Sequence, residues 1–256
     1  ASELGFAINP DYNGRTQEGV SPPQVTQHKG WRCSSAGAFL APVRSRRNLT
    51  VMTGVDVERL LFEGDGTQCT GVETRRGRFL LAPRGEVLLA AGALGSPKIL
   101  MLSGIGDPRA LRAQGTHIRL ERAAVGANLQ EHPNSLVCAS VNVHTFNMDA
   151  KPWPMLRNAL YWLFTGRGPA SSPYPHAVGF LRSSPDEPTP DLQFLFGPFA
   201  FSFDERGILP YLGPAVSIVV NTCRPRARGS VSLRNADPSS PVRITHSLLD
   251  DEDDLR

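Results

Sequence analysis

The stretch that decides the fold runs from Gly92 to Gly106 and reads GALGSPKILMLSGIG. It follows VLLAA at residues 87–91, a continuous apolar run of the kind found in strands buried on both faces of a parallel sheet. Within the stretch, Ser96-Pro97 has the pattern of an N-cap residue followed by proline at the first helical position. The sequence therefore predicts a buried strand that turns sharply through glycines into a short, capped helix.

A turn of this kind has two interpretations. It can bring backbone N–H groups close to a phosphate or a ribose. It also occurs where a helix simply packs closely on a sheet, so the local pattern leaves ligand binding and plain packing both open. A second helix is predicted next, with Asp107 as its N-cap, Pro108 as its first residue and Gly115 as the residue that ends it.

The residues before this stretch predict a small antiparallel meander. Alternating apolar positions between Leu49 and Leu61 are typical of strands, and two further strands are predicted at Gly71 to Arg75 and Arg78 to Leu81. Glu86 to Ala91 is the fourth predicted strand. Residues 1–48 are rich in turn signals and have little core of their own.

Beyond His132-Pro133 the pattern changes to longer strands separated by proline-rich loops. One helix, marked by apolar residues at helical spacing between Met155 and Phe164, interrupts them. A mostly antiparallel sheet, covered on one side, is expected. Phenylalanines alternate along residues 194–203, which fits either core packing or a hydrophobic substrate wall. The predicted strands are Leu136 to Val143, Ala177 to Arg182, Leu192 to Phe196, Val216 to Thr222, Gly229 to Leu233 and Val242 to His246.

Composition narrows the possible functions. The net charge of +3 comes from dispersed basic residues, so a nucleic-acid partner is not expected. The four cysteines lie far apart without zinc-type spacing, which favours reduced thiols and no metal site. No apolar run approaches the roughly 20 residues that span a bilayer. We expect a cytoplasmic or peripherally membrane-associated protein without a membrane span.

These fifteen residues, 92–106, match throughout the second sequence signature of the glucose-methanol-choline (GMC) oxidoreductases. The chain resembles this family, and especially its choline-dehydrogenase-like branch, strongly over about the first 135 residues and more weakly to the end. The flanking segments that agree are DYNG at 11–14, HKGWRCSS at 28–35, NLTV at 48–51, VGANLQEH at 125–132, LFTGRG at 163–168 and RPRARGSV at 224–231.

The resemblance implies FAD as the cofactor and three binding positions. Val57 falls where the family uses a valine backbone to hold the adenine. Ala91 and Gly92 fall where the buried strand passes the ADP half of FAD. Asn128 and His132 fall in a segment that lies over the flavin region, although Glu131 stands beside them where the family more usually has aspartate.

The resemblance also implies the fold class, and the change of pattern at His132-Pro133 sets the boundary between the two portions. An α/β, Rossmann-like but incomplete FAD-binding portion with a β-meander is expected at residues 49–133, after a loop-rich flavin-cover segment at 1–48. An α+β portion with an antiparallel sheet, part of the substrate-binding domain, is expected at 134–256. The chain begins without methionine and stops inside an acidic run, so both ends are interpreted as cuts and the chain as an internal fragment.

The function implied is that of the parent protein, which would oxidise a primary alcohol, choline or a related small molecule, to an aldehyde with FAD as hydride acceptor. The family's amino-terminal Gly-x-Gly-x-x-Gly turn and its carboxy-terminal catalytic histidine are absent from this sequence. No catalytic residue is therefore assigned here, and the sequence identifies no electron acceptor. The alternative is a non-catalytic fragment or scaffold that keeps the fold without flavin turnover.

Overall fold

The computed structural model describes residues 1–205 and 207–255. The chain forms two compact units, the first from residues 1–49 and 132–224, the second from residues 50–131 and the segment from Pro225 onward.

The regular elements are numbered in chain order. The strands of the first unit are β1 (Gly19–Ser21), β2 (Gln27–His28), β3 (Trp31–Arg32), β9 (Asn134–Ser140), β10 (Ala177–Leu181), β11 (Leu192–Gly197), β12 (Phe201–Asp204), β13 (Gly207–Pro210) and β14 (Ala215–Thr222). Those of the second unit are β4 (Val57–Phe62), β5 (Cys69–Thr74), β6 (Gly77–Leu80), β7 (Ile105–Gly106), β8 (Leu120–Glu121), β15 (Ser230–Ser232) and β16 (Arg243–Thr245). The α-helices are α1 (Gly92–Leu102), α2 (Pro108–Ala113), α3 (Phe146–Asp149) and α4 (Pro152–Thr165).

The first unit is built on a five-stranded sheet in the order β1-β10-β11-β14-β9, antiparallel throughout. Side chains alternate between its two faces. On one face Val178, Phe180 and Ser217 are buried, whereas on the other Ile218 is 39% and Val137 61% exposed. The predicted antiparallel arrangement is therefore confirmed for β9, β10, β11 and β14, whereas the strands predicted at Gly229 to Leu233 and Val242 to His246 pair with each other outside this sheet. The β12–β13 hairpin was not predicted.

Two buried polar side chains of the first unit, Asn147 and Ser217, are bonded to nearby backbone. The Asn147 side chain donates to the carbonyl oxygens of Ala200 and Tyr211 at 2.9 and 3.0 Å and accepts the Ala200 N–H at 2.9 Å. The Ser217 hydroxyl donates to the Phe199 carbonyl at 2.7 Å. Buried polar groups with partners avoid the desolvation penalty of unpaired ones.

The second unit contains the meander β4-β5-β6 and a short parallel pair, β7 with β8. Its core joins helix and strand residues that are distant in sequence. Asp107 caps α2 by accepting the N–H groups of Arg109 and Ala110 at 2.9 Å each, and Gly115 follows the helix at φ 69°, so the predicted limits of α2 are confirmed. The buried core residues are Met101, Leu102, Leu111, Val231 and Leu233.

The structure differs from the predicted strand at residues 86–91. These residues form no regular element, and Leu88 is 87% exposed. A strand buried on both faces needs neighbours on its edges and helices over its faces. In the described part of the chain no strand pairs with residues 86–91, so the apolar run lies open. The first meander strand is also shorter than predicted and begins at Val57.

Helix α1 begins at Gly92, earlier than Ser96-Pro97 predicts. Gly92 has φ 79°, a conformation that a residue without a Cβ atom adopts at no steric cost. The Ser96 hydroxyl does not cap from outside the helix and instead accepts the Ala91 N–H at 3.1 Å. Gly104, at φ 83°, follows the carboxyl end of α1.

The segment from Pro225 onward packs in the second unit, although the sequence groups it with residues 134–224. Leu129 and Gly229 exchange backbone hydrogen bonds of 2.9 and 2.7 Å, and the Val231 N–H donates to Gly126 at 2.6 Å. These bonds place β15 against the core of the second unit.

Leu111 is only 1% exposed in the core of the second unit. We expect Leu111→Ala to lower the free energy of unfolding by about 2–5 kcal/mol, because it removes buried methyl groups and leaves a cavity. Urea denaturation followed by circular dichroism measures this. The control, Leu88→Ala at the exposed run, should change it by no more than about 0.5 kcal/mol; equal effects of the two substitutions would contradict the packing described.

Candidate functional site

A groove of about 290 Å³ in the second unit lies between the start of β4 and α1. Val57, the first residue of β4, lines it and is 36% exposed. Gly95 and Ile99 line it from successive turns of α1, and Pro238 and Ser239 line it from the loop before β16. The groove thus combines a strand end, a helix face with a glycine, and a turn.

A serine bridge sets the distance between the two principal walls. The Ser103 hydroxyl accepts the Leu60 N–H of β4 at 2.8 Å and donates to the Ile99 carbonyl of α1 at 2.6 Å. Since β4 is tied to the end of α1 here, its first residue is placed alongside the preceding turns of that helix.

The loop that contributes Pro238 and Ser239 to the groove is held by Lys98. Its Nζ donates to the Pro238 carbonyl at 2.7 Å. In the same turn, hydrogen bonds from the side chain and backbone of Ser239 lower the pKa of the exposed Asp237 carboxyl. The loop is therefore ordered by its own hydrogen bonds and by one bond from α1.

Ala91 and Gly92 are exposed at the start of α1 and do not line the groove. A Cβ atom at Gly92 would have no heavy atom within 4 Å, so the backbone there is open to a close approach. The first N–H groups of an α-helix lack intrahelical acceptors, and they attract phosphate oxygens. Of the three predicted cofactor residues, the structure puts Val57 in the groove and the other two one turn from its Gly95 wall.

These features fit a nucleotide cofactor in two respects. The groove beside Val57 offers backbone and apolar surface to a flat base, and the glycine-led start of α1 offers N–H groups to a phosphate. A Cβ atom at Gly95 would lie 3.0 Å from the Ala91 Cβ, so glycine allows the close packing of the first turn of α1.

The segment VGAN, residues 125–128, is fixed by a close backbone approach. A Cβ atom on Gly126, at φ 83°, would lie 2.2 Å from the Val231 carbonyl oxygen. Asn128 follows with φ 61°, a left-handed conformation that asparagine tolerates better than most residues. The partner of Gly126 lies more than a hundred residues away in sequence, so no local pattern reveals this contact.

A serine–histidine pair in the first unit was not singled out from the sequence. Ser172 Oγ and His176 Nε2 are 2.6 Å apart, and the imidazole meets the Phe146 ring edge-on at 5.0 Å between centroids. His176 Nδ1 is buried and, among the described residues, has no hydrogen-bond partner. Burial lowers the pKa of His176 below its ordinary value, so the neutral imidazole is favoured.

The exposed face of the five-stranded sheet carries an apolar cavity of about 520 Å³. Phe194 and Phe196 line it together with Leu4 and Phe6 from the amino-terminal segment. The later phenylalanines form a separate chain of ring contacts, with centroids 5.5 Å apart between Phe199 and Phe201. The alternating phenylalanines thus divide between a cavity wall and ring packing.

The structure also describes the state of the cysteines, possible metal ligands and possible membrane-spanning helices. The four cysteines are free and half-buried, and burial raises the pKa of the Cys223 thiol. Within residues 1–205 and 207–255, no cluster of His, Cys, Asp and Glu is suited to hold a metal ion. No helix in the part of the chain that the structure describes has the length and apolar character needed to cross a bilayer.

The chain is similar to known proteins along nearly its whole length. Residues 1–134 match the family model described as GMC oxidoreductase. The chain is 33% identical over 261 residues to an oxygen-dependent choline dehydrogenase of Brucella anthropi, covering 98% of this chain and 46% of that protein. The chain therefore spans about half the length of the curated relatives that it matches.

Solved structures show the same fold. A pyridoxine 4-oxidase from Mesorbium loti superposes with a TM-score of 0.78 at 26% identity, covering 99% of this chain and 46% of the other. A formate oxidase from Aspergillus oryzae, whose structure concerns modification of its FAD, superposes with a TM-score of 0.83 at 22% identity, covering 99% of this chain and 48% of the other.

The lowered pKa of His176 predicts a pH dependence of stability. Above its ordinary pKa of 6.5, the histidine is neutral in both folded and unfolded states. As the pH falls below that value, the unfolded chain takes up a proton that folded His176 resists, so stability falls. We expect His176→Gln to reduce this loss, measured by urea denaturation at about pH 7.5 and about pH 5.5.

The control for this measurement is His28→Gln, because His28 is exposed in the same unit. It should keep the pH dependence of the unsubstituted chain. An unchanged pH dependence in His176→Gln would show that the buried imidazole is not the group responsible.

Proposed function

The chain belongs to the GMC oxidoreductase family, and from this premise we propose that it supplies cofactor support and part of the substrate-pocket wall to an enzyme that oxidises a primary alcohol to an aldehyde. The cofactor of this family is FAD. The observation that carries the proposal is the arrangement of residues 92–106, where the family signature forms a glycine-led helix beside the Val57 groove.

In this proposal the second unit binds the ADP part of FAD. The Val57 backbone at the start of β4 holds the adenine, and the Ala91-Gly92 turn lets the chain approach the ADP phosphates or ribose closely. FAD, when bound, accepts hydride from the alcohol carbon. The residues of this chain bind and orient the cofactor, whereas the base that removes the hydroxyl proton is assigned to a part of the protein outside these residues.

The first unit would contribute to the substrate side. Its open sheet face carries Phe194, Phe196 and Ile218 around an apolar cavity, which suits the aliphatic part of a small alcohol. Choline is the first substrate candidate, because a relative 33% identical to this chain is an oxygen-dependent choline dehydrogenase. An alkanol or polyol is the second.

The cofactor part of the proposal is tested at Val57. Since backbone rather than side chain is proposed to hold adenine, Val57→Ala should leave FAD affinity unchanged. Val57→Pro removes the N–H and should weaken binding by about tenfold, the loss expected for one hydrogen bond of about 1.5 kcal/mol. Val57 is the first residue of β4, a strand position where proline is tolerated.

The measurement is FAD titration by flavin fluorescence, with the chain and with the longer protein that contains it, and circular dichroism establishes that both variants are folded. Choline- and alkanol-dependent dye reduction by the longer protein tests the reaction. A colourless protein without alcohol-dependent dye reduction would reject the proposal in favour of a non-catalytic scaffold. Equal FAD affinity in Val57→Ala and Val57→Pro would instead reject only the role of the Val57 backbone.

A further inference from the structure

A second cavity in the second unit has no role in the proposed reaction. It is an open cavity of about 490 Å³ between the meander, the carboxyl end of α1 and the loop before β8. This volume lies within the range of sites for small organic ligands, roughly 300–1,000 Å³. It is bounded by other residues than the Val57 groove, with Leu102 common to both.

The cavity is lined by both apolar and basic side chains. Leu60, Phe62 and Leu102 contribute apolar side chains to the lining, and Arg59, Arg78 and Arg119 contribute guanidinium groups. A lining that combines apolar side chains with guanidinium groups suits a ligand with an apolar body and an anionic head.

The arginines are only partly neutralised. Arg59 and Arg78 are cross-strand neighbours of Glu73 and share its carboxylate, with nitrogen–oxygen distances of 3.8 and 3.1 Å. One carboxylate therefore serves two guanidinium groups. These cross-strand ion pairs also stabilise the meander, but they leave an excess positive charge at the cavity wall.

Arg119 is held in place by uncharged groups. Its Nη1 donates to the carbonyl oxygens of Gly64 and Gly66 at 2.9 and 2.6 Å, and its guanidinium lies 4.8 Å from the centroid of the Phe62 ring. These contacts orient the guanidinium without cancelling its charge, which is the condition for charge-assisted hydrogen bonds to an incoming anion.

Thr116 supplies a further observation. It lines the cavity, and its buried Oγ1 has no hydrogen-bond partner among the described residues. A buried hydroxyl without a partner is costly, and such groups commonly indicate a water, ion or ligand.

We propose that this cavity binds an organic phosphate, with the phosphate among Arg59, Arg78 and Arg119 and the apolar body against Leu60 and Phe62. Guanidinium groups match the geometry of phosphate oxygens. The site is distinct from the FAD groove, and the proposal does not rest on the alcohol oxidation proposed above.

The test is calorimetric titration of the whole chain with phenyl phosphate, inorganic phosphate, phenol and benzoate, in the absence and presence of saturating FAD. Phenyl phosphate should bind about tenfold tighter than inorganic phosphate, and phenol should show no measurable binding. FAD should leave the phenyl phosphate affinity unchanged. Displacement by FAD, absence of phenyl phosphate binding, or equal binding of benzoate would overturn the proposal.

Two variants locate the site. Arg78→Gln, at a side chain 68% exposed, should weaken phenyl phosphate binding by about fivefold or more through loss of a charged contact. Thr116→Val should weaken it by about threefold while keeping the side-chain shape. The control is Arg112→Gln, an exposed arginine of α2 outside the cavity, which should bind as the unsubstituted chain does. Equal affinity in all three folded variants would place the binding elsewhere and overturn the assignment.

Discussion

The Ser103 hydroxyl bridge is the interaction on which both cavities of the second unit depend. It joins the Leu60 N–H of β4 to the Ile99 carbonyl of α1 through bonds of 2.8 and 2.6 Å. On one side of this junction lies the groove with Val57, and on the other the cavity lined by the arginines. One buried serine thus sets the spacing of a proposed nucleotide site and a proposed phosphate site.

Close backbone contacts at glycines hold other segments within each unit together. In the second unit a Cβ on Gly104 would lie 2.3 Å from the His117 carbonyl oxygen. In the first unit a Cβ on Gly30 would lie 1.9 Å from the Gly166 carbonyl oxygen, and the Trp162 Nε1 donates to the Gly30 carbonyl at 2.8 Å. Because any side chain would collide at these positions, the glycines allow contacts between segments that are far apart in sequence.

The exposed apolar surfaces lie where a segment has no strand neighbour or where a sheet face has no covering layer. Residues 86–91 have the composition of a central strand but pair with no strand in the described part of the chain, and the five-stranded sheet leaves one face open. Exposing such surface costs roughly 25 cal/mol per Å². The chain spans about half the length of its curated relatives.

The sequence by itself determined the features that depend on near neighbours. The Asp107 cap, the limits of α2, the later meander strands and most strands of the five-stranded sheet are predicted because caps, turns and alternation act over a few residues. The family signature at 92–106 is also a local feature, because it is a contiguous pattern. The contiguous signature supports the resemblance to the GMC family, and that resemblance implies the cofactor role of Val57.

Tertiary structure alone decided the features that depend on distant partners. Whether residues 86–91 form a strand depends on neighbours that supply hydrogen bonds, and the segment from Pro225 joins the second unit through bonds between Gly229 and Leu129. The convergence of Arg59, Arg78 and Arg119 on one cavity results from strand register and loop closure. Contacts between positions that are far apart along the chain leave no local pattern, so only the folded chain shows them.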